Sequence, residues 1–463
     1  MACIVWIRRS LRVNDNTSLI EASNEFDEII PLYIIDKNIL KKTENEKRIR
    51  FWYRALKDLK RQLMDNGADL LIKTGDPLQI LKKQVDKKEL EKIFFNRDYS
   101  HYAKKRDQKV RNKLDIPIKE FKDIVLSEKK EILNSNDKPY QAFSYYYKKW
   151  LDKNKRKPKK VSSFKTPNIE NSSLPRLKQL ENIEKTEKEI EIWKPTRKEG
   201  LTRLNEFMDK IGEYKEKGEY PNKGFTSKIS PYLKFGKISI REAYWKAEEQ
   251  KNTEKTEGVT EWQRQLAWRD FYFQILHNHP EIRKRAFKEK YSKIEWNKKE
   301  KWKSFKNAKT GYPVIDAGIR QLKNQGWIHN RLRMLITSFA AKDLYLDWKK
   351  LHKFYKKHFI DAEIASMLGG IQWCYSIGPS SQPYFRVFNP IKQSKKYDPK
   401  GKYIKRWLSE LKDVPTDYIH EPHKTPKKIQ SQIDLDIGKD YPQPIVDHKP
   451  RIKKAKKMYS RFN

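Results

Sequence analysis

The first 120 residues alternate between strand and helix patterns, and this order restricts the chain to few folds. Apolar, β-branched runs occupy residues 3–7, 28–36, 68–75 and 92–99, each bounded by polar segments. Helical patterns lie between them, at 46–66 and 76–88. Strands separated by helices form βαβ units with a parallel sheet. The sequence therefore predicts a doubly wound α/β domain, whose ligands would bind beyond the carboxyl ends of the strands.

The composition changes after this first part of the chain. From about residue 154 to 200 the sequence is charged, carries Pro and Ser, and has little periodicity, which is typical of a connection between domains. Beyond it strand patterns almost vanish and helical periods dominate. We therefore expect an α/β domain at 1–130, a linker at 131–200 and a larger all-α domain at 201–463.

The net charge of +42 comes from 103 Lys and Arg against 61 Asp and Glu. A field of this sign attracts polyanions such as nucleic acids. A Lys-rich proteome or a salty cytoplasm would explain the same excess equally well, so charge alone supports nucleic acid only weakly. The aromatic content of 12% indicates a folded protein with a polar surface.

Several site classes are not indicated by the sequence. The only cysteines, Cys3 and Cys374, are far apart, so neither a disulfide framework nor a metal site is predicted. No GxGxxG or Walker motif occurs, and no apolar run approaches 18 residues. The expectation is a cytoplasmic, monomeric protein without a membrane segment.

Two helical patterns combine aromatic and polar residues on one face. Residues 260–276 place Trp262, Gln265, Trp268 and Arg269 at steps of three and four. Residues 326–339 place Asn330, Arg333 and Met334 together in the same way. An aromatic stripe is usually core, but a core would have to provide partners for Gln265 and Arg269.

Five phrases between Lys309 and Pro390 resemble the flavin-binding half of the DNA photolyase and cryptochrome family. They read KTGYPVIDAGIRQL, GWIHNRLRM, KDLYLDW, IDAEIASMLGGIQWCYS and PYFRVFNP, in that order. WIRRSLRVNDN (6–16) and FFNRDYSHYAKKRDQKV (94–110) resemble the family's antenna domain, which usually has Asp where Ser10 stands. The chain looks most like a class I cyclobutane pyrimidine dimer photolyase.

The resemblance implies FAD as cofactor. It also allows a light-harvesting pigment in the α/β domain, either a folate, a deazaflavin or a second flavin, without identifying which. A Thr/Ser cluster before a helix suits a phosphate, although a plain helix cap is the simpler explanation of TSKIS alone. The positions that match FAD-binding residues of the family are Tyr214, Thr226, Ser227, Lys228, Ile229, Ser230, Trp262, Arg269, Arg333, Asp361, Glu363 and Met367.

A second group matches the cavity that receives the flipped lesion, namely Gln265, Trp268, Asn330, Met334 and Trp373. Arg331 and Arg386 match residues that hold the DNA strand. The resemblance implies that the damaged bases are flipped out of the duplex into this cavity. His329 is expected to be structural. Damaged DNA is therefore the expected partner.

Three positions depart from the family pattern. Gln265 stands where many dimer-repairing members have Glu, and Met367 stands where repair enzymes usually have Asn. Trp296 and Trp348 match two of the three tryptophans through which the family reduces its flavin, but Ile371 replaces the one nearest the flavin. We expect photoreduction to be slow or rerouted, with Tyr345, Tyr375 or Trp373 as alternative stations.

These residues leave two alternatives to dimer repair. Ile371, Met367 and Gln265 lend some weight to a cryptochrome-like blue-light photoreceptor. Asn330 disfavours repair of (6-4) products, because that branch has His at this position. It also counts against a cryptochrome, because plant cryptochromes usually have Asp there.

Overall fold

The strands of the first half form one parallel sheet. The computed structural model describes residues 2–87, 89–167, 173–175, 192–252, 254–297, 301–379 and 385–462. Its sheet has the order β3-β2-β1-β4-β5, with every neighbouring pair parallel. The strands are β1 Ala2–Ile7, β2 Glu28–Asp36, β3 Leu71–Gly75, β4 Leu90–Asn96 and β5 Ile118–Phe121. The chain reverses direction across the sheet between β1 and β4, so the predicted doubly wound α/β fold is confirmed.

Helices make up most of the remaining regular structure. Those up to residue 278 are α1 Thr17–Ser23, α2 Lys37–Lys41, α3 Glu46–Met64, α4 Pro77–Lys87, α5 His101–Lys113, α6 Phe143–Asp152, α7 Arg197–Met208, α8 Tyr214–Lys217, α9 Ser230–Lys234, α10 Ile240–Glu248 and α11 Thr256–Asn278. Those that follow are α12 Trp302–Lys306, α13 Pro313–Gln325, α14 Asn330–Lys342, α15 Trp348–His358, α16 Ile364–Cys374, α17 Pro390–Tyr397, α18 Lys402–Trp407, α19 Lys427–Gln432 and α20 His448–Ser460. Short 3₁₀ turns lie at Ile211–Glu213, Pro280–Arg283, Glu289–Lys293, Ser409–Leu411 and Pro422–Lys424. Among the residues that the structure describes, no helix is long and apolar enough to cross a bilayer.

The compact units of the molecule are interleaved along the chain. The first contains residues 1–139, 147–211 and 227–277, and the second contains 140–146, 212–226 and 278–463. The sequence instead suggested three consecutive segments with boundaries at 130 and 200. Part of the expected linker, at 168–172 and 176–191, lies outside the described residues.

A buried ionic network explains why the first unit includes residues beyond 200. Asp123 accepts hydrogen bonds from Arg12 at 2.8 Å and from Arg241 at 2.7 Å. Arg241 also donates to Asp15 at 2.7 Å. Ser10, at the position where the family usually has Asp, donates to Asp123 at 2.6 Å. A second carboxylate at position 10 would lie against Asp123 and repel it, so serine suits this network.

Gly236 allows the same region to close. Its φ is +65°, and a Cβ at this position would lie 2.3 Å from the carbonyl oxygen of Arg9. The amide of Leu11 donates to the carbonyl of Phe235 beside it, at 3.1 Å. Only glycine permits both the left-handed backbone and this approach of two main-chain segments.

The second unit is organised around α13, α14 and α16, with α18 packed against α13. Asp316 in α13 is fully buried and accepts hydrogen bonds from the amides of Thr310 and Gly311 and from the hydroxyl of Tyr441. Burial raises the pKa of Asp316 to about 6. Residues 309–316 (KTGYPVID) and 440–447 (DYPQPIVD) therefore have a structural role, because the hydrogen bonds of Asp316 join these two distant segments.

Candidate functional site

In the second unit, α14 begins with a histidine cap. His329 is 4% exposed, its Nδ1 accepts from the amide of Arg331 at 3.0 Å, and its Nε2 donates to the carbonyl of Gly218 at 2.8 Å. Both ring nitrogens are thus used by the backbone, which agrees with the structural role expected for His329. The cap starts the helix at Asn330 and so sets the direction of the side chains that follow.

Asn330 and Met334 lie one turn apart on α14. The Asn330 amide contacts the Met334 sulfur at 3.5 Å, and Asn330 is exposed while Met334 is half-buried. An amide presents two donors and one acceptor, and a thioether is flexible and weakly polar. This pair offers hydrogen bonds to a base edge beside an adaptable apolar surface.

Arg333 and Asp361 form the predicted ion pair. The guanidinium donates to both carboxylate oxygens, at 3.2 and 2.7 Å, and its Nε donates to the carbonyl of Ile328 at 3.0 Å. The ring of Phe359 lies 4.1 Å from the guanidinium carbon. The Asp361 side chain is 2% exposed and that of Arg333 is 28%, so the pair presents its cationic edge to the surroundings.

One side of α16 has open space at Gly370. Glu363, Met367 and Gly370 follow one another at steps of four and three and therefore share one side of the chain. A Cβ at Gly370 would meet no atom within 4 Å. The Arg333–Asp361 pair in the same unit supplies a charged donor and acceptor, which fit the polar edge of an isoalloxazine ring, so these residues are compatible with FAD.

Trp373, Arg386 and Phe388 form a cluster at the end of α16. The guanidinium carbon of Arg386 lies 5.3 Å from the Trp373 ring and 5.5 Å from the Phe388 ring. The two rings are 6.4 Å apart. Arg386 is exposed and Trp373 half-buried. An aromatic face next to an exposed cation can receive an unstacked base and its phosphate.

Arg331 has protein partners of its own. It pairs with Glu219, and its guanidinium carbon lies 4.6 Å from the ring of Tyr397. The Glu219 side chain is 46% exposed, whereas that of Arg331 is 14%. A DNA phosphate at Arg331 would therefore compete with a solvent-accessible carboxylate.

The polar residues of α11, in the first unit, have the partners that a core requires. Gln265 donates to the carbonyl and the carboxylate of Glu261, at 3.2 and 3.1 Å. Arg269 donates to the carbonyl of Ile124. The ring of Trp268 lies 5.5 Å from that of Tyr272. Trp262 is 4% exposed, and its ring lies 5.6 Å from that of Phe207.

The predicted phosphate-binding segment is divided between the two units along the sequence. Tyr214 and Thr226 belong to the second unit, and Ser227 through Ser230 belong to the first. Lys228 has φ of +51°, and the following helix α9 has Ile229 at its N-cap, with no side-chain cap.

The residues of the expected electron-transfer route lie around α16. Ile371 is 2% exposed on α16, and Tyr375 follows one turn later with its ring 5.1 Å from that of Trp296. Trp296 and Trp348 both line a cleft of about 620 Å³. The Tyr375 hydroxyl donates to the carbonyl of Leu346 at 2.9 Å, and burial raises the pKa of Tyr375 well above its usual value. A backbone carbonyl is a poor proton acceptor, so Tyr375 is unsuited to replace the missing tryptophan.

Two residues near the cluster had no prior assignment. Phe388 belongs to the phrase PYFRVFNP, whose first two residues lie outside the described ranges. Lys342 is buried near the end of α16, and its only signal in the sequence is a lysine within the apolar run MLITSFAAKDL.

The chain matches two family models. Residues 3–165 match "DNA photolyase", and residues 262–461 match "FAD binding domain of DNA photolyase". A deoxyribodipyrimidine photo-lyase of Alkalihalophilus pseudofirmus is 34% identical over 97% of this chain and 96% of its own. The crystal structure of an archaeal photolyase from Sulfolobus tokodaii with two FAD molecules has a TM-score of 0.83, with 30% identity and full coverage of both chains. A cryptochrome from Synechocystis has a TM-score of 0.91, with 25% identity over 99% of each chain.

Proposed function

Since this chain belongs to the DNA photolyase family, we propose that it repairs cyclobutane pyrimidine dimers in DNA under blue light, as a class I enzyme. The observation that carries the proposal is the Trp373, Arg386 and Phe388 cluster in the same unit as the Arg333–Asp361 pair. The chemistry supplied by bound, reduced FAD after light absorption is transfer of one electron to the dimer and its recovery after the ring opens.

The protein's own residues hold and orient the two partners. Arg333 and Asp361 would bind the polar edge of the flavin ring, with Glu363 and Met367 beside it. Asn330 would donate to the base edges, and Met334 would fill the space next to it. Trp373 would stack on a flipped base, for which Gln265 and Trp268 are the proposed further contacts.

DNA would be held by cations. Arg386 would pair with a phosphate of the damaged strand, and Arg331 would do so when Glu219 releases it. The affinity for DNA that comes from such phosphate contacts falls as the salt concentration rises. We propose that the enzyme acts as a cytoplasmic monomer.

We propose that the α/β domain binds a second chromophore, which would harvest light and could be a folate, a deazaflavin or a second flavin. At the switch point of the sheet, Arg8 pairs with Asp107 and lies 4.8 Å from the Trp6 ring. The cavity there, which Arg9 also lines, has a volume of about 10 Å³. An antenna pigment at this edge would have to displace arginine side chains.

Repair of a dimer-containing oligonucleotide by dithionite-reduced protein under blue light is the expected result. Undamaged DNA and a dark reaction serve as controls, and a (6-4) substrate is run in parallel. Absence of repair with FAD bound would favour the photoreceptor, and repair of the (6-4) substrate alone would favour that branch.

Ile371→Trp is expected to speed light-driven reduction of the oxidised cofactor in the presence of a thiol. The substitution returns an oxidisable ring to the position that interrupts the route to Trp348 and Trp296. Because Ile371 is buried, the larger side chain is expected to cost about 1–3 kcal/mol of stability. Ile371→Phe is the matched control, since it adds bulk without an indole.

The rate is read from bleaching of the flavin absorbance under constant light. The prediction fails if the flavin of the natural chain is reduced as fast as that of Ile371→Trp and if Trp348→Phe abolishes this reduction. The usual tryptophan route would then be intact despite Ile371.

A further inference from the structure

Lys342, the last residue of α14, is buried, and its ammonium group donates to three neutral oxygens. It is 1% exposed, and its Nζ donates to the carbonyl of Cys374 at 2.8 Å, to the hydroxyl of Ser376 at 3.0 Å and to the carbonyl of Arg386. These three oxygens satisfy all three donors of an ammonium group. Burial lowers the pKa of Lys342 to about 8, although the neighbouring carboxylate of Asp343 favours the charged form.

The acceptors of Lys342 come from two separate parts of the chain. Cys374 and Ser376 follow Trp373 at the end of α16, and Arg386 comes ten residues later. Ser376 has φ of +59°, a strained conformation for a residue with a side chain. The hydrogen bond from Lys342 to the Ser376 hydroxyl helps to hold this turn. One ammonium group therefore joins the residue after Trp373 to the backbone of Arg386.

The same contacts set the geometry of the exposed cluster. The Phe385 ring lies 5.3 Å from the Lys342 Nζ, so the segment before Arg386 packs on the lysine as well. Beyond this anchor, the Arg386 guanidinium extends over the Trp373 ring. Lys342 itself is too deeply buried to contact DNA.

We propose that Lys342 is a positioning residue for lesion binding, which fixes Arg386 and Trp373 at the separation needed to hold a flipped dimer. This inference rests on the proposed function. A neutral side chain of similar length would leave three acceptors without their donor and allow the two segments to separate.

Lys342→Met is expected to weaken binding to dimer-containing DNA about tenfold, the loss that corresponds to one well-placed contact. Flavin content and its absorbance spectrum should stay unchanged. Lys353→Met is the matched control, because it removes one exposed lysine of α15 and the same charge. Dissociation constants are measured on damaged and undamaged oligonucleotides of the same sequence.

A coupling measurement separates positioning from a general loss of stability. If Lys342 acts through Arg386, then Arg386→Ala costs less affinity in the Lys342→Met background than in the natural chain. Equal costs in both backgrounds would overturn the inference. Should Lys342→Met fail to fold, Ser376→Ala removes one of the three acceptors and is expected to weaken damage-specific binding less strongly.

The outcome for the natural chain distinguishes the two proposals. If the natural chain repairs dimers and Lys342→Met keeps its affinity for damaged DNA, the positioning role of Lys342 is contradicted. The proposed function then still holds. Failure of the natural chain to bind or repair dimers contradicts the proposed function.

Discussion

Replacing Trp373 with alanine is expected to weaken binding to dimer-containing DNA by roughly 10- to 100-fold. Stacking of a base on an aromatic side chain contributes about 1–3 kcal/mol, and each 1.4 kcal/mol corresponds to about a tenfold change in affinity. The ring is half-buried against Phe388 and below Arg386, so it is already oriented before DNA arrives. Little of the binding energy would then be spent on ordering it.

Undamaged DNA gives the internal comparison for this prediction. The bases of undamaged DNA stay stacked in the duplex. The affinity for undamaged DNA should therefore change much less in Trp373→Ala. Trp373→Phe keeps an aromatic face and should retain most of the affinity for the lesion. Gel-shift titrations on matched oligonucleotides, with flavin content checked for each variant, measure the effect. Equal losses on damaged and undamaged DNA would show that Trp373 serves general DNA binding instead.

Asp123→Ala is expected to lower the free energy of unfolding of the first unit by about 3–5 kcal/mol at neutral pH. The variant leaves the guanidinium groups of Arg12 and Arg241 buried without their shared carboxylate, and both side chains are at most 4% exposed. Asp115→Ala, at an exposed position in the same unit, is the control and should change stability little. Urea denaturation followed by far-UV circular dichroism measures the difference.

The pH dependence of this difference has a definite sign. Burial by itself would raise the pKa of Asp123, but Arg12 and Arg241 outweigh burial and hold the pKa well below its usual range. The stabilisation is therefore complete above the unfolded pKa of about 3.9 and is lost as the pH falls toward the lower folded pKa. The difference in the free energy of unfolding between the natural chain and Asp123→Ala should become smaller below about pH 4. A difference that stays constant down to about pH 2 would contradict the lowered pKa of Asp123.

Much of the sheet could be predicted from the sequence because its strands are continuous apolar runs. Runs predicted at 3–7 and 28–36 became β1 Ala2–Ile7 and β2 Glu28–Asp36. The edge strand β5 was not predicted, since Ile118–Phe121 is short and only partly buried. The α14 pattern was predicted to begin at 326, but the His329 cap starts the helix at Asn330.

Contacts within the site were predictable where a family pattern supplied both partners. The pairing of Arg333 with Asp361 was expected, and it is present. The partners of Lys342 were not predictable, because they lie 32 to 44 residues away and two of them are backbone carbonyls, which no side-chain pattern marks. The contact between Arg331 and Glu219 was missed because the two side chains are 112 positions apart in the sequence.

The interleaved first unit also has a consequence for synthesis on the ribosome. Asp123 leaves the exit tunnel with the sheet, whereas Arg241 follows 118 residues later. At 5–20 residues per second this is a delay of roughly 6–24 s, during which the carboxylate lacks one of its two cations. The ionic network around Asp123 therefore remains incomplete until α10 emerges, and a fragment ending near residue 200 is not expected to fold as an independent, transplantable domain.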